Sequence, residues 1–183
     1  MKSLILAAGA AVLVVPLNAA TGAVFTVGGP LSQNCYQAAL SRDDRSSAVE
    51  GCTRALNEEG LANPDRAATF VNRGIVYMAR GHGNEADADF DHALAINASL
   101  SDAWLNKGFL RIREGKGQEA LLLVQRGIDN GPRRQALAYF ARGVAHEQAG
   151  DYRSAYNDLI RARQMEPQWS LPGEWLAHYQ VGR

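Results

Sequence analysis

Residues 72–81 read NRGIVYMARG, and the chain nearly writes them twice more, as NKGFLRIREG from Asn106 and ARGVAHEQAG from Ala141, at spacings of 34 and 35 residues. A near-constant period in this range marks a stack of repeated structural units rather than a catalytic motif. Placed in register from Ala67, Ser101 and Ala136, the segments agree place by place. The fourth place holds Phe70, Trp104 or Tyr139, the eighth Gly74, Gly108 or Gly143, and the fifteenth Gly81, Gly115 or Gly150. The twentieth holds Ala86, Ala120 or Ala155, and the twenty-fourth Phe90, Val124 or Leu159.

Apolar residues at helical spacing on both sides of a central glycine predict two amphipathic helices joined by a tight turn, with that glycine ending the first helix. The eighth-place glycine sits in a helix interior, where it costs roughly 1 kcal/mol relative to alanine. Close approach to the small twentieth-place Ala is the expected cause. Pro132 and Pro167, at the thirty-second place, stop the second helix.

On these residues the chain resembles tetratricopeptide repeat proteins over residues 67–169, in three units at 67–100, 101–134 and 136–169. The resemblance implies an all-α fold, a right-handed superhelical stack of antiparallel helix pairs. The chain departs from the family's pattern at Ala98, in place of proline, and at Arg111 and His146, where Tyr77 carries the usual aromatic. A degenerate earlier pair within residues 24–66 places Ala48, Cys52 and Ala55 at the twentieth, twenty-fourth and twenty-seventh places, but its first helix keeps no glycine. Residues 170–183 read as a helix opening at Pro172 and carrying Trp175, Leu176 and Tyr179, a cap for the last unit's apolar face. The alternative is a segment folding back into the groove.

Lys2, an apolar run from Leu4 to Val15, Pro16 and a small-residue stretch give residues 1–23 the layout of a signal peptide cleaved after Ala20 or Ala23. An uncleaved anchor is the alternative, although the run is shorter than the roughly 20 apolar residues of a spanning helix. The mature chain is expected to be exported, periplasmic or secreted. The two cysteines, Cys35 and Cys52, flank a polar turn between short helical patterns. In an exported chain they are expected to form a disulfide, with two buried thiols as the alternative.

Charge is balanced, with 19 Lys+Arg against 19 Asp+Glu, so no global charge draws the chain to nucleic acid. It is uneven, however: residues 41–100 hold six Arg and ten acids, residues 104–163 eleven Lys+Arg and six acids. His82, His92, His146 and His178 lack metal-site spacing, and Asp87, Asp89 and Asp91 read as a solvated helix face without a calcium loop. Nucleophile-elbow and phosphate-loop motifs are absent, so neither an enzyme nor a cofactor is expected.

What remains is the concave surface. The family's inward-facing places fall here on Val71, Asn72, Ile75 and Met78, on Leu105, Asn106, Phe109, Ile112 and Arg113, and on Phe140, Ala141, Val144 and Glu147. The resemblance implies that Asn72 and Asn106, both at the sixth place, bond the backbone of an extended peptide. The expected function is a non-enzymatic scaffold of the cell envelope that holds an extended segment or helix of another protein in this groove, without stable membrane insertion. The alternative is a self-associating module joined head to tail by its oppositely charged halves.

Overall fold

The computed structural model describes residues 22–179, leaving the expected signal peptide outside the described residues except for Gly22 and Ala23. The described residues form helices without strands: α1 (Pro30–Ser41), α2 (Ser46–Glu58), α3 (Asn63–Ala79), α4 (Gly83–Ile96), α5 (Ser101–Arg113), α6 (Gly117–Asp129), α7 (Gln135–Gln148), α8 (Tyr152–Met165) and α9 (Ser170–Leu176). Each odd helix packs antiparallel on the even helix that follows, and each pair leans on the next. The odd helices also touch one another in succession, α1 on α3, α3 on α5 and α5 on α7, whereas the even helices meet little or not at all. Crowding on the odd side makes it the inner, concave face.

Gly81, Gly115 and Gly150 end α3, α5 and α7 at φ of 81°, 73° and 82°, a conformation that costs other residues more than glycine. Each turn closes with the same capping bond, from the N–H of His82, Lys116 or Asp151 to the carbonyl of Tyr77, Arg111 or His146, at 2.9 Å in all three. The first pair makes that bond without glycine. Arg42 takes the left-handed conformation at φ 52°, and Asp43 N–H donates to the Ala38 carbonyl at 2.9 Å. The Cys35–Cys52 disulfide, with Cα atoms 4.8 Å apart, fastens the two helices.

The eighth-place glycines do sit at a helix contact, but their nearest neighbours belong mainly to the twenty-fourth place. A Cβ on Gly74 would stand 2.5 Å from the Phe90 ring, and one on Gly108 2.5 Å from Val124 Cγ2. One on Gly143 would meet Leu159 Cγ at 3.1 Å and the Ala155 carbonyl at 3.2 Å. The small place thus receives the large side chain of the partner helix, while Ala86, Ala120 and Ala155 close the seam with no exposure. Helix α3 begins at Asn63, four residues before the register, because Pro64 suits the first helical turn and extends it.

At the C-terminal end, α9 starts at Ser170, two residues before Pro172, and packs on α8. Its Trp175 lies 5.6 Å from the Phe140 ring, and Trp169 lies 5.1 Å from the same ring, so aromatic surface covers the last unit. The chain then reaches Tyr179, whose hydroxyl donates to Glu147 Oε2 at the inner face of α7. Burial, followed by the Glu147 carboxylate, pushes that phenol well above its ordinary pKa.

Candidate peptide-binding groove

The concave face of α3 and α5 already holds an extended peptide, residues 22–27 of the chain itself. Asn72, with no exposed surface, uses both atoms of its amide on one residue. Its Oδ1 accepts from Val24 N–H at 2.8 Å, and its Nδ2 donates to the Val24 carbonyl at 2.8 Å. One helical repeat along, Asn106 Nδ2 donates to the Gly22 carbonyl at 3.2 Å while bonding the Asp102 carbonyl at 2.7 Å. Toward the start of α3, Asp65 Oδ1 accepts from Thr26 Oγ1 at 2.9 Å and from Val27 N–H at 2.8 Å.

Side chains alternate along the segment as they do along a β-strand. Val24 is 7% exposed and Thr26 0%, whereas Phe25 is 56% and Val27 80% exposed. Phe25 rests on the edge of Tyr36 of α1, ring centres 5.5 Å apart. The segment runs from α5 to α3, against the order of the repeats, and leads through Gly28 and Gly29 into α1. Glu59 receives α1 by accepting from the Leu31 and Ser32 amides at 2.6 and 2.9 Å. Desolvation raises the Glu59 carboxyl, but its hydrogen bonds from Ser32 and Leu31 win and hold it below the ordinary range. Asp102, one turn before Asn106, is pushed upward by burial against the pull of Arg133.

The expected groove residues are divided by the structure. Val71, Ile75, Met78, Leu105, Ile112, Phe140, Ala141 and Val144 are buried in contacts between helices, and Asn72 and Asn106 are buried as well. Phe109 is half-buried, and Arg113 is exposed with its guanidinium donating to the Met78 carbonyl. Glu147 is engaged by Tyr179. The polar anchors and Phe109 therefore carry the inner surface, while most of the apolar places serve the stack.

A second set of side chains corrects the reading of Asp87 and Asp89 as part of a solvated face, while Asp91 stays largely exposed. Arg73 grips the 3%-exposed Asp89 with two bonds of 2.8 and 2.7 Å and reaches Thr53 Oγ1 of the preceding pair at 2.9 Å. Arg142 repeats this on Asp158, at 2.7 and 2.8 Å, and on Gln125 of the preceding pair at 2.7 Å. In the middle unit the twenty-third place is Leu123, and Lys107 turns back to Asp91 and Asp87 of α4, at 2.6 and 3.1 Å. Arg111 also bonds Asp87, at 2.9 Å. A seventh-place cation thus ties each unit to the one before it. The signal lay in the register as Arg73, Lys107 and Arg142. Much of the charge difference between the two halves is joined inside the chain where α4 meets α5.

Among the described residues no three His, Cys, Asp or Glu side chains converge on a metal position. Asp89, the acid beside His92, is already committed to Arg73. Another concavity, of about 550 Å³, opens over the disulfide between α1 and α2, lined by Asn34, Gln37, Arg45 and Arg54, and gives that end of the stack a polar surface.

The chain is 34% identical over 103 residues to human tetratricopeptide repeat protein 6, a match spanning 55% of this chain and 20% of that protein. It is 24% identical over 125 residues to small glutamine-rich tetratricopeptide repeat-containing protein 2 of Mycosarcoma maydis, covering 68% of this chain and 34% of that one. The repeats are tetratricopeptide repeats. The chain spans between a fifth and about a third of the length of these curated relatives. Two crystal structures of MamA share the fold of these tetratricopeptide repeats, each with a TM-score of 0.61 at 18% identity, over 78% and 80% of this chain and 80% and 76% of theirs. No family model matches the chain.

Proposed function

We propose that the protein is a non-enzymatic scaffold whose concave face binds an extended segment of another protein through backbone hydrogen bonds. The observation that carries this reading is the double bond pattern of Asn72 on Val24. One amide satisfies both the N–H and the C=O of one residue, which fits any extended backbone and leaves side-chain choice to the neighbouring pockets. Apolar walls around Asn72 exclude water from those bonds, and Phe109 supplies an accessible aromatic anchor farther along. The curated relatives carry the same repeat in their names, which supports a protein partner.

We place this scaffold outside the cytoplasm. A disulfide on a chain whose first residues have signal-peptide layout supports that reading. No helix among the described residues is long and apolar enough to cross a membrane. Both expected cleavage points leave Val24 and Thr26 on the mature chain, and the one after Ala20 also keeps Gly22 and the Val24 amide, whereas cleavage after Ala23 would make Val24 the new N-terminus. Head-to-tail assembly draws only on the uneven charge, much of which pairs within the chain.

Photocrosslinking tests the groove reading. A benzoylphenylalanine at position 109 is expected to form discrete protein adducts in the exporting cell, and one at position 122, where Leu122 is 72% exposed on α6, is not. Adducts from position 122 alone would move the binding surface to the even helices.

A further inference from the structure

The segment lying in the groove also states what the groove selects. Inward at Gly22 there is no room for a side chain: a Cβ would stand 2.6 Å from Asn106 Nδ2, itself held by the Asp102 carbonyl. Inward at Val24 a β-branched side chain is buried in the first core cluster, beside the amide that takes both of its backbone groups. Inward at Thr26 a fully buried hydroxyl donates to Asp65 and accepts from Gly28 N–H at 3.1 Å. An apolar residue there would lose both bonds, and an unmet buried polar group costs more than a neutral bond contributes. Of the outward places, Val27 meets Asp65 through its amide, and Phe25 turns its ring onto Tyr36 of α1.

The same contacts describe an occupant that can leave. The segment is attached by a handful of mostly neutral hydrogen bonds and one buried valine, and it joins α1 through Gly28-Gly29, whose wide conformational range suits a hinge once their backbone bonds to Thr26, Gln33 and Ser32 release. Because it is tethered, it competes at an effective concentration on the order of millimolar. A free segment of equal intrinsic affinity therefore binds far more weakly to the closed groove than to an open one.

Resting on the groove reading above and on cleavage after Ala20, we propose that the face formed by α3 and α5 recognises extended segments with the pattern small residue, small apolar, β-branched apolar, any, hydroxyl, and that residues 22–27 occupy it in cis until a partner segment of that pattern displaces them.

The test is fluorescence anisotropy with a labelled peptide copying residues 22–29, GAVFTVGG, titrated into the full chain and into its Val24→Asp variant. An aspartate buried at that place releases the cis segment while leaving the groove residues in place. The peptide is expected to bind the variant at least tenfold more tightly than the parent, and Asn72→Ala added to the variant is expected to remove that gain. A peptide carrying the same aspartate should bind neither chain. Equal, tight binding to parent and variant would overturn cis competition while leaving the groove reading standing, and no binding to either would overturn both. A parent chain that sediments as a dimer and becomes monomeric on Val24→Asp would transfer the occupant to a second copy and overturn the cis assignment. If the variant misfolds, the parent decides alone. Excess unlabelled peptide should move the Val24 and Val27 amide NMR signals to disordered positions, and unchanged signals at saturation would overturn the proposal.

Discussion

Asp89→Ala is expected to lower stability by about 3 kcal/mol, a fall in melting temperature of roughly 6 to 12 °C for a chain of this size. The loss comes from what the substitution leaves behind. The Arg73 side chain is only 16% exposed, and without Asp89 its guanidinium is left with the Thr53 hydroxyl and the Phe70 and Tyr77 ring faces in a site that water reaches poorly. Asp91→Ala removes an acid from the same helix face, but Asp91 is 63% exposed and Lys107 retains Asp87, so the expected change is within about 1 kcal/mol. Replacing both partners, Arg73→Met with Asp89→Leu, should recover most of the stability, since a packed apolar pair of similar volume often matches a buried ion pair. Thermal melts of the four proteins check this. Equal effects of Asp89→Ala and Asp91→Ala would mean that the buried Arg73–Asp89 pair does not hold α3 to α4.

Removing the disulfide is the other large effect. Cys35 and Cys52 are separated by 17 residues, and closing a loop of that size contributes on the order of 3 kcal/mol in the chain-entropy model. The loss should be local. In a linear stack each pair depends on its neighbours, and beyond themselves α1 and α2 pack chiefly on α3, so the first pair is expected to open before the rest. Its opening would also remove the Tyr36 edge on which Phe25 rests. Thiol counting on denatured, unreduced protein should find no free cysteine, and Cys35→Ser with Cys52→Ser should produce an early unfolding step confined to residues 30–58. Two free thiols, or a double variant as stable as the parent, would contradict this.

The helix pairs were legible because their determinants are short-range: a glycine that must turn, a proline that must stop, an apolar face repeating every three to four residues. Asn72 and Asn106 were legible as inward-facing because the sixth place repeats. The occupant was not. Residues 22–27 alternate inward and outward, yet they lie against a signal-like stretch and have no strand to pair with. Only the stacked odd helices give that alternation a surface. Asp65, which receives Thr26 and Val27, precedes the first register position by two residues and falls in the turn that Pro64 adds to α3. The ion ladder was hidden differently. Arg73 with Asp89, and Arg142 with Asp158, are 16 residues apart, a separation that means nothing along one helix and becomes a contact once two helices fold back on each other.

Native-state hydrogen exchange resolved at single amides tests the groove most directly. If Asn72 holds an extended backbone, the Val24 amide, outside any helix and close to the start of the described chain, should exchange on the order of a hundredfold more slowly than in a disordered peptide. The Val27 amide, bonded to Asp65, should also be protected. Asn72→Ala should abolish protection at Val24 while the amides of α3 and α5 keep theirs. Exchange of Val24 at the rate of a disordered chain in the parent protein would contradict the account, because the concave face would then hold no backbone at all.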